Sequence, residues 1–136
     1  MFKNVNRLLF WCCLFIGLSL VLAAFGGHQL KNILSIHKLE TFKAGCNYLA
    51  IHSIGILIII LFNNTTKMAI PPKAIYTLFC GLLIFCISFL VVSFSEINGL
   101  AFAKYFGATA PIGAAILILG WIWVAFSFKK QWTKNA

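Results

Sequence analysis

This sequence predicts an all-α, polytopic membrane protein with four transmembrane helices in an up-down bundle, and three observations predict it. Four apolar runs, Leu8–Phe25, Ala44–Phe62, Ala74–Phe94 and Ala110–Phe128, take up most of the 136 residues. At ~1.5 Å of rise per residue, their 18 to 21 residues reach the roughly 30 Å of a bilayer's hydrocarbon core. None contains Asp, Glu, Lys or Arg, so none has the charged outer face of a helix in a water-soluble bundle. The chain is 62% hydrophobic and 10% charged, against roughly a quarter charged in soluble domains. No repeat or second domain is evident, and residues 1–136 read as one four-helix unit.

The first run follows Lys3 and Arg7 and has small residues at Ala23-Ala24, the outline of a secretory signal. Its 18 apolar residues exceed the usual ~7–15 of such a segment, so it is expected to stay as a helix. Ser35 is a candidate N-cap for the second helix, which should begin near Ile36. From there an apolar stripe, Leu39, Phe42, Cys46, Leu49, Ser53, Ile56 and Ile60, runs unbroken into the membrane. Asn63-Asn64-Thr65-Thr66 and then Pro71-Pro72 should stop the second helix and start the third. Helix 4 should open at Ala110-Pro111, with proline in the first turn, where its missing N–H costs nothing. The outer connections, Gly26–Lys43 and Ser95–Thr109, are long enough for structure of their own.

Small residues mark where helices can approach in lipid. Ala110 and Ala114 form a small-xxx-small pair, and Gly113 and Gly120 lie a heptad apart. Helix 4 is therefore expected to pack closely, against helix 1 or 2. Gly81, Cys86 and Ser88 make a milder version of the pattern on helix 3.

The net charge of +9 does not indicate nucleic acid, because the lysines stand at span ends, where they meet lipid phosphates. Lys3, Arg7, Lys67, Lys73, Lys129, Lys130 and Lys134 fall on one side, with no acid among them. Lys31, Lys38, Lys43 and Lys104 share the other side with Glu40 and Glu96. The positive-inside rule then puts both termini on the cytoplasmic side of the membrane. Phe10, Trp11, Tyr105, Phe128 and Trp132 sit near span ends as an aromatic belt would, while Trp121 lies deeper and needs a hydrogen-bond partner in the bundle.

Chemistry is constrained by what the chain lacks. It has no Asp, and its two acids exclude paired-carboxylate catalysis and oxygen-rich Ca²⁺ or Mg²⁺ cages. The five cysteines lie in or beside apolar runs, with no C-x-x-C pair, and read as small hydrophobes. No nucleophile–base pair or phosphate loop is present. No catalytic, cofactor-binding or metal-ligating residues are therefore expected.

One polar face stands out. Thr41, Gly45, Tyr48, His52 and Gly55 recur at helical spacing on the second helix. His52 is the only group inside a span that could carry charge, and such groups are rare in membranes unless paired or functional. This face should turn inward. His52 reads first as a neutral residue locking helix packing, then as a proton or ligand handler, and last as a metal or haem ligand. His28 follows Gly26-Gly27 just beyond the first helix, at a depth differing from His52 by more than a helical turn, which argues against two ligands on one iron. His37 reads as a solvated surface residue.

Together these segments resemble the domain-of-unknown-function 423 family of small four-span inner-membrane proteins, related to the eukaryotic transmembrane protein 256. Ala24-Phe25-Gly26-Gly27-His28-Gln29-Leu30 is close to its A-F-G-A-H-x-L. Phe42 followed by Tyr48-x-x-x-His52 is similar to its aromatic and Y-Q-x-x-H. Gly81-x-x-x-Phe85-x-x-Ser88 resembles G-x-x-L-F-S-G-S, and Pro111-Ile112-Gly113 with Gly120-Trp121 resembles P-I-G-G and G-W. Leu49, Ile87 and Ala114 depart from the pattern. The resemblance covers nearly the whole chain and implies a fold, not an activity.

The candidate functional or packing residues are thus His28, His52, Tyr48, Gly26, Pro111, Gly113, Gly120 and Trp121. The expected role is a non-enzymatic accessory or scaffold, with membrane lipids and a membrane-protein partner or second copy as its company. The alternatives are a small transporter or channel using the His52 face, and a haem or redox module.

Overall fold

A computed structural model describes the backbone of residues 4–66, 70–98 and 103–135, and the side chains of 4–66, 70–95 and 106–130. Helices α1 (Val5–His28), α2 (Ile36–Thr66), α3 (Pro72–Asn98) and α4 (Ala103–Asn135) follow in order, with a short 3-10 turn at Leu30–Asn32 between the first two. All four are long and apolar enough to cross a membrane. The expected side chains of Tyr105 and Trp132 at the membrane surface lie outside the described residues, as do those of Lys3, Lys67, Lys104 and Lys134.

Each helix contains its apolar run and extends beyond it at both ends. The run reports the thickness of hydrocarbon, whereas the helix ends only where its backbone bonding fails. Thus α2 does not stop at Asn63 but continues through Thr66. Thr65 and Thr66 donate their hydroxyls to the Leu61 and Phe62 carbonyls at 2.6–3.1 Å, which suits them to the last turn. Asn63 is buried and accepts the Ile70 N–H at 3.0 Å, stapling the chain back before α3 begins at Pro72.

The largest departure is in α4, which starts at Ala103, so Pro111 lies inside the helix and not in its first turn. A proline ring presses on the carbonyl four residues earlier and cannot donate to it. Here that residue is Gly107, which lacks the Cβ that would restrict the carbonyl's retreat. The outer connection is correspondingly shorter than Ser95–Thr109.

Backbone contacts join α1 to α2, α2 to α3 and α3 to α4, each antiparallel to the last. Gly81 faces α4 and Leu83 lines a cleft shared with α1. Two residues apart means roughly 200° around a helix, so these neighbours occupy opposite sides of α3. The bundle is therefore a rhombus: α2 and α3 form its central pair, with α1 and α4 on opposite flanks.

The main core runs along this central pair, with Leu49, Ile56 and Ile60 of α2 against Ile75, Leu78 and Leu82 of α3, all buried. A smaller cluster of Leu30, Leu34, Phe42 and Cys46 closes the end where α1 passes into α2. At that end Lys38 of α2 donates to the Val92 carbonyl at 3.0 Å and to Ser95 Oγ at 3.3 Å, tying α2 to the last turns of α3.

Helix 4 packs neither on α1 nor on α2 through its glycines, as the sequence pattern suggested, but on α3. A Cβ on Gly113 would stand 2.6 Å from the Phe85 backbone nitrogen, and one on Gly81 2.7 Å from that of Leu117. These are backbone atoms, which have no rotamer through which to yield. Gly113→Leu should destabilise the bundle by ~1–3 kcal/mol or more, and Gly113→Ala should do so to a lesser degree. Gly27→Ala, where a Cβ meets nothing within 4 Å, should leave it unchanged. Unfolding in mild detergent, followed by circular dichroism, distinguishes the three.

Candidate functional site

The polar face of α2 is divided between a helix interface and a half-open flank. Gly45 is buried against α3, where a Cβ would meet Phe89 Cβ at 2.9 Å. Cys86 of α3 completes that contact, its Sγ donating weakly to the Gly45 carbonyl at 3.7 Å. Tyr48, His52 and Gly55 turn toward the α3–α4 side instead. His52 is half-buried, but Tyr48 retains 42% of its exposure, so this face is not turned wholly inward. The innermost stripe is the apolar one, from Phe42 through Ile60, because a dry bundle ranks packing above polarity at its centre.

His52 has a defined partner. The Trp121 indole N–H of α4 donates to its Nδ1 at 3.1 Å. The indole crosses the face of Gly55, where a Cβ would lie 2.8 Å from Trp121 Cη2. Gly55 thus provides the space through which a large α4 side chain reaches α2. The Trp121 donor and the His52 acceptor meet each other's need in a medium with no water to offer.

Aromatic rings surround this bond. Tyr48 stacks with His52 at 6.1 Å and 16°, and meets Phe85 of α3 edge-on at 5.0 Å. Phe85 in turn meets Phe89 at 4.7 Å and 63°. The cluster joins three helices through Tyr48 and His52. Phe85 and Phe89 were not among the expected candidates, although their four-residue spacing places them on one face of a helix.

The tautomer has a chemical consequence. An imidazole that accepts at Nδ1 is neutral and carries its proton on Nε2. It then has no free lone pair for a metal, and its other ring nitrogen is a donor. His28 is exposed at the end of α1, away from this cluster. The structure therefore does not bring the two histidines together. Among the described residues no group of three or more His, Cys, Asp or Glu side chains could hold a metal ion.

Gly26 and Gly120 stand at close helix contacts. Gly26 is buried at the crossing of α1 and α2, where a Cβ would meet the Phe42 ring at 2.7 Å. Gly120 admits Leu78 of α3, its Cδ2 2.7 Å from the position of a Cβ. Pro111 is exposed on the flank of α4. Ser88 donates to the Phe85 carbonyl at 2.7 Å and lines a small cleft with Thr41, Phe89, Val92, Gly107 and Ala110, which leaves Tyr48 and His52 outside.

A multi-pass membrane protein, knit by small-residue seams and by one histidine bond between flanking and central helices, is the class that this fold and site define. The chain belongs to the family described as a protein of unknown function (DUF423), which matches residues 22–114. That match includes Gly26, His28, Tyr48, His52, Pro111 and Gly113 and ends before Gly120 and Trp121. A UPF0382 membrane protein of Staphylococcus saprophyticus is 30% identical over 99 residues, 73% of this chain and 77% of the relative. One of Staphylococcus haemolyticus is 29% identical over 110 residues, 81% and 84% of the two chains. One of Staphylococcus aureus is 30% identical over 99 residues, covering 73% and 75%. No solved structure matches the chain.

Two outcomes test the bonding scheme. In a double-mutant cycle, Trp121→Phe and His52→Ala should show a coupling of ~0.6–2 kcal/mol in unfolding free energy, the range of polar contacts between helices in membranes. Ser53 offers the contrast, because its hydroxyl is fully buried and without a hydrogen-bond partner. Ser53→Ala should leave stability unchanged or raise it by ~1 kcal/mol, by the same unfolding measurement.

Proposed function

We propose that this protein is a non-enzymatic accessory or scaffold component of the bacterial cytoplasmic membrane, with both termini in the cytoplasm. The observation that carries this reading is the Trp121–His52 bond. The one histidine deep in a span is held as a neutral link between helices, the state expected of a structural part.

Several other polar groups in the spans are used in the same way, the buried Ser53 hydroxyl excepted. Ser19, Ser88 and Ser93 donate to carbonyls three or four residues earlier at 2.7 Å, and Asn63 receives a backbone N–H. The outer face of α4, with Ile118, Leu119, Ile122 and Phe126 exposed, is where a lateral contact with another membrane protein or a second copy would fall. The division of lysines between the two sides supports the orientation.

A transporter or channel would need a wet path past Tyr48 and His52, and a haem module would need a free imidazole nitrogen. The closed His52–Trp121 pair favours neither. A photo-crosslinker placed at Leu119 in native membranes should yield one discrete adduct, with a partner or with a second copy. A ladder of weak products, or none, would remove the scaffold reading. Proteoliposome flux that is abolished by His52→Ala would replace it with transport.

A further inference from the structure

We propose that the cleft between α1 and α3 is a site for one anionic phospholipid, its phosphate at Arg7 and an acyl chain against Phe15, Phe79 and Leu83. The two helices share no backbone contact and meet through side chains, with the Phe15 and Phe79 rings 6.1 Å apart. Beside this bridge lies a cleft of about 370 Å³, whose lining includes Arg7, Trp11, Phe15, Tyr76, Phe79 and Leu83. That volume falls within the range of small-molecule sites, roughly 300–1,000 Å³.

Charge selects the occupant. Arg7 is the only charged residue among the described residues of the lining, and it stands at the end of the bundle where α1 and α3 both begin. The chain's two acids, Glu40 and Glu96, belong to the start of α2 and the last turn of α3, at the opposite end. Among the described residues no acidic side chain lines the cleft beside Arg7, so an anion from outside can serve as its counter-ion. The start of α1 has no acidic residue in its first turn and adds positive potential at the same mouth.

Depth then separates a lipid from a free anion. Trp11 and Tyr76 are 40% and 53% exposed, and rings with one polar edge favour the headgroup level. Below them the lining turns apolar. From Arg7 to Phe15 is eight residues, or ~12 Å along the helix, a length suited to the upper part of an acyl chain. A small anion would use only the mouth and leave that wall without a partner. By the orientation proposed above, the headgroup belongs to the cytoplasmic leaflet.

The site depends on the membrane setting and not on the scaffold role, so the Leu119 cross-link and the lipid test fail independently. Native mass spectrometry of the full chain, exchanged into mild detergent with phosphatidylglycerol, phosphatidylcholine or inorganic phosphate, makes the test. One phosphatidylglycerol should be retained per chain, in preference to phosphatidylcholine. Arg7→Gln should reduce that retention about fivefold, the worth of one basic residue near an anionic lipid. Arg7→Lys should restore most of it, and Lys43→Gln at the opposite end should have no effect. Leu83→Trp, which fills the apolar wall, should lower retention of both lipids. Equal retention of the two lipids, indifference to Arg7→Gln, or retention of inorganic phosphate in place of lipid would each overturn the proposal.

Discussion

The backbone-to-backbone approach of α3 and α4 at Gly81 and Gly113 is the contact on which the placement of the site depends. Two helices in lipid gain little from hiding apolar surface, because the surrounding chains are as apolar as the side chains. They gain from close contact, and closeness needs residues without bulk. Gly113 lets α4 settle against the Phe85 backbone, and Gly120, two turns further, receives Leu78. Those fixed points set the rotation of α4. The next residue, Trp121, is thereby directed past α3 to Gly55 and His52 on α2. A bulkier residue at Gly113 would move the indole as well as loosen the seam.

The hydrocarbon medium explains the economy of the remaining polar groups. An unpaired donor or acceptor there has no water to turn to. Serine and threonine resolve this locally by donating to the preceding turn, as Ser19, Thr77, Ser88 and Ser127 do at 2.7–2.9 Å. Imidazole and indole are too large for that and must find each other across helices. Asn63 and Lys38 act near the two ends, one on a connecting segment and the other on α3. The polar contacts therefore fall into a graded set: local bonds along the spans, ties at the ends, and between them the Trp121–His52 bond with the weaker Cys86–Gly45 contact.

The spans were legible because absence of charge over a fixed length has one physical meaning. Helix ends were less so. Hydropathy measures how much chain suits lipid, and α2 passes through Asn63-Asn64-Thr65-Thr66, where the two threonine side chains bond backward to the helix. Pro111 misled for a related reason: its place in the interior of α4 is tolerated with Gly107 one turn before it. Of the site, the needs of His52 and Trp121 could each be read from sequence. Their pairing could not, since it depends on α4 packing against α3, and a glycine face fits any neighbour. Phe85 stood out only as part of the Gly81-x-x-x-Phe85-x-x-Ser88 block and Phe89 was hidden among 14 phenylalanines, where spacing alone does not separate an aromatic cluster from lipid-facing rings.

The rhombic arrangement gives the two flanks different chemistry. On the α4 side, the glycine seam and the indole close the contact with the central pair, and what remains outward is apolar and without charge at mid-span. On the α1 side, the helix is anchored through α2 while its approach to α3 stays open, with a cation at the opening and rings along the wall. A closed flank presents a surface and an open one presents a slot. Lateral association suits the first, because rigid apolar relief can be matched by another helix. A flexible amphiphile suits the second, because only a molecule with a charged head and a pliable tail satisfies Arg7 and Phe79 together.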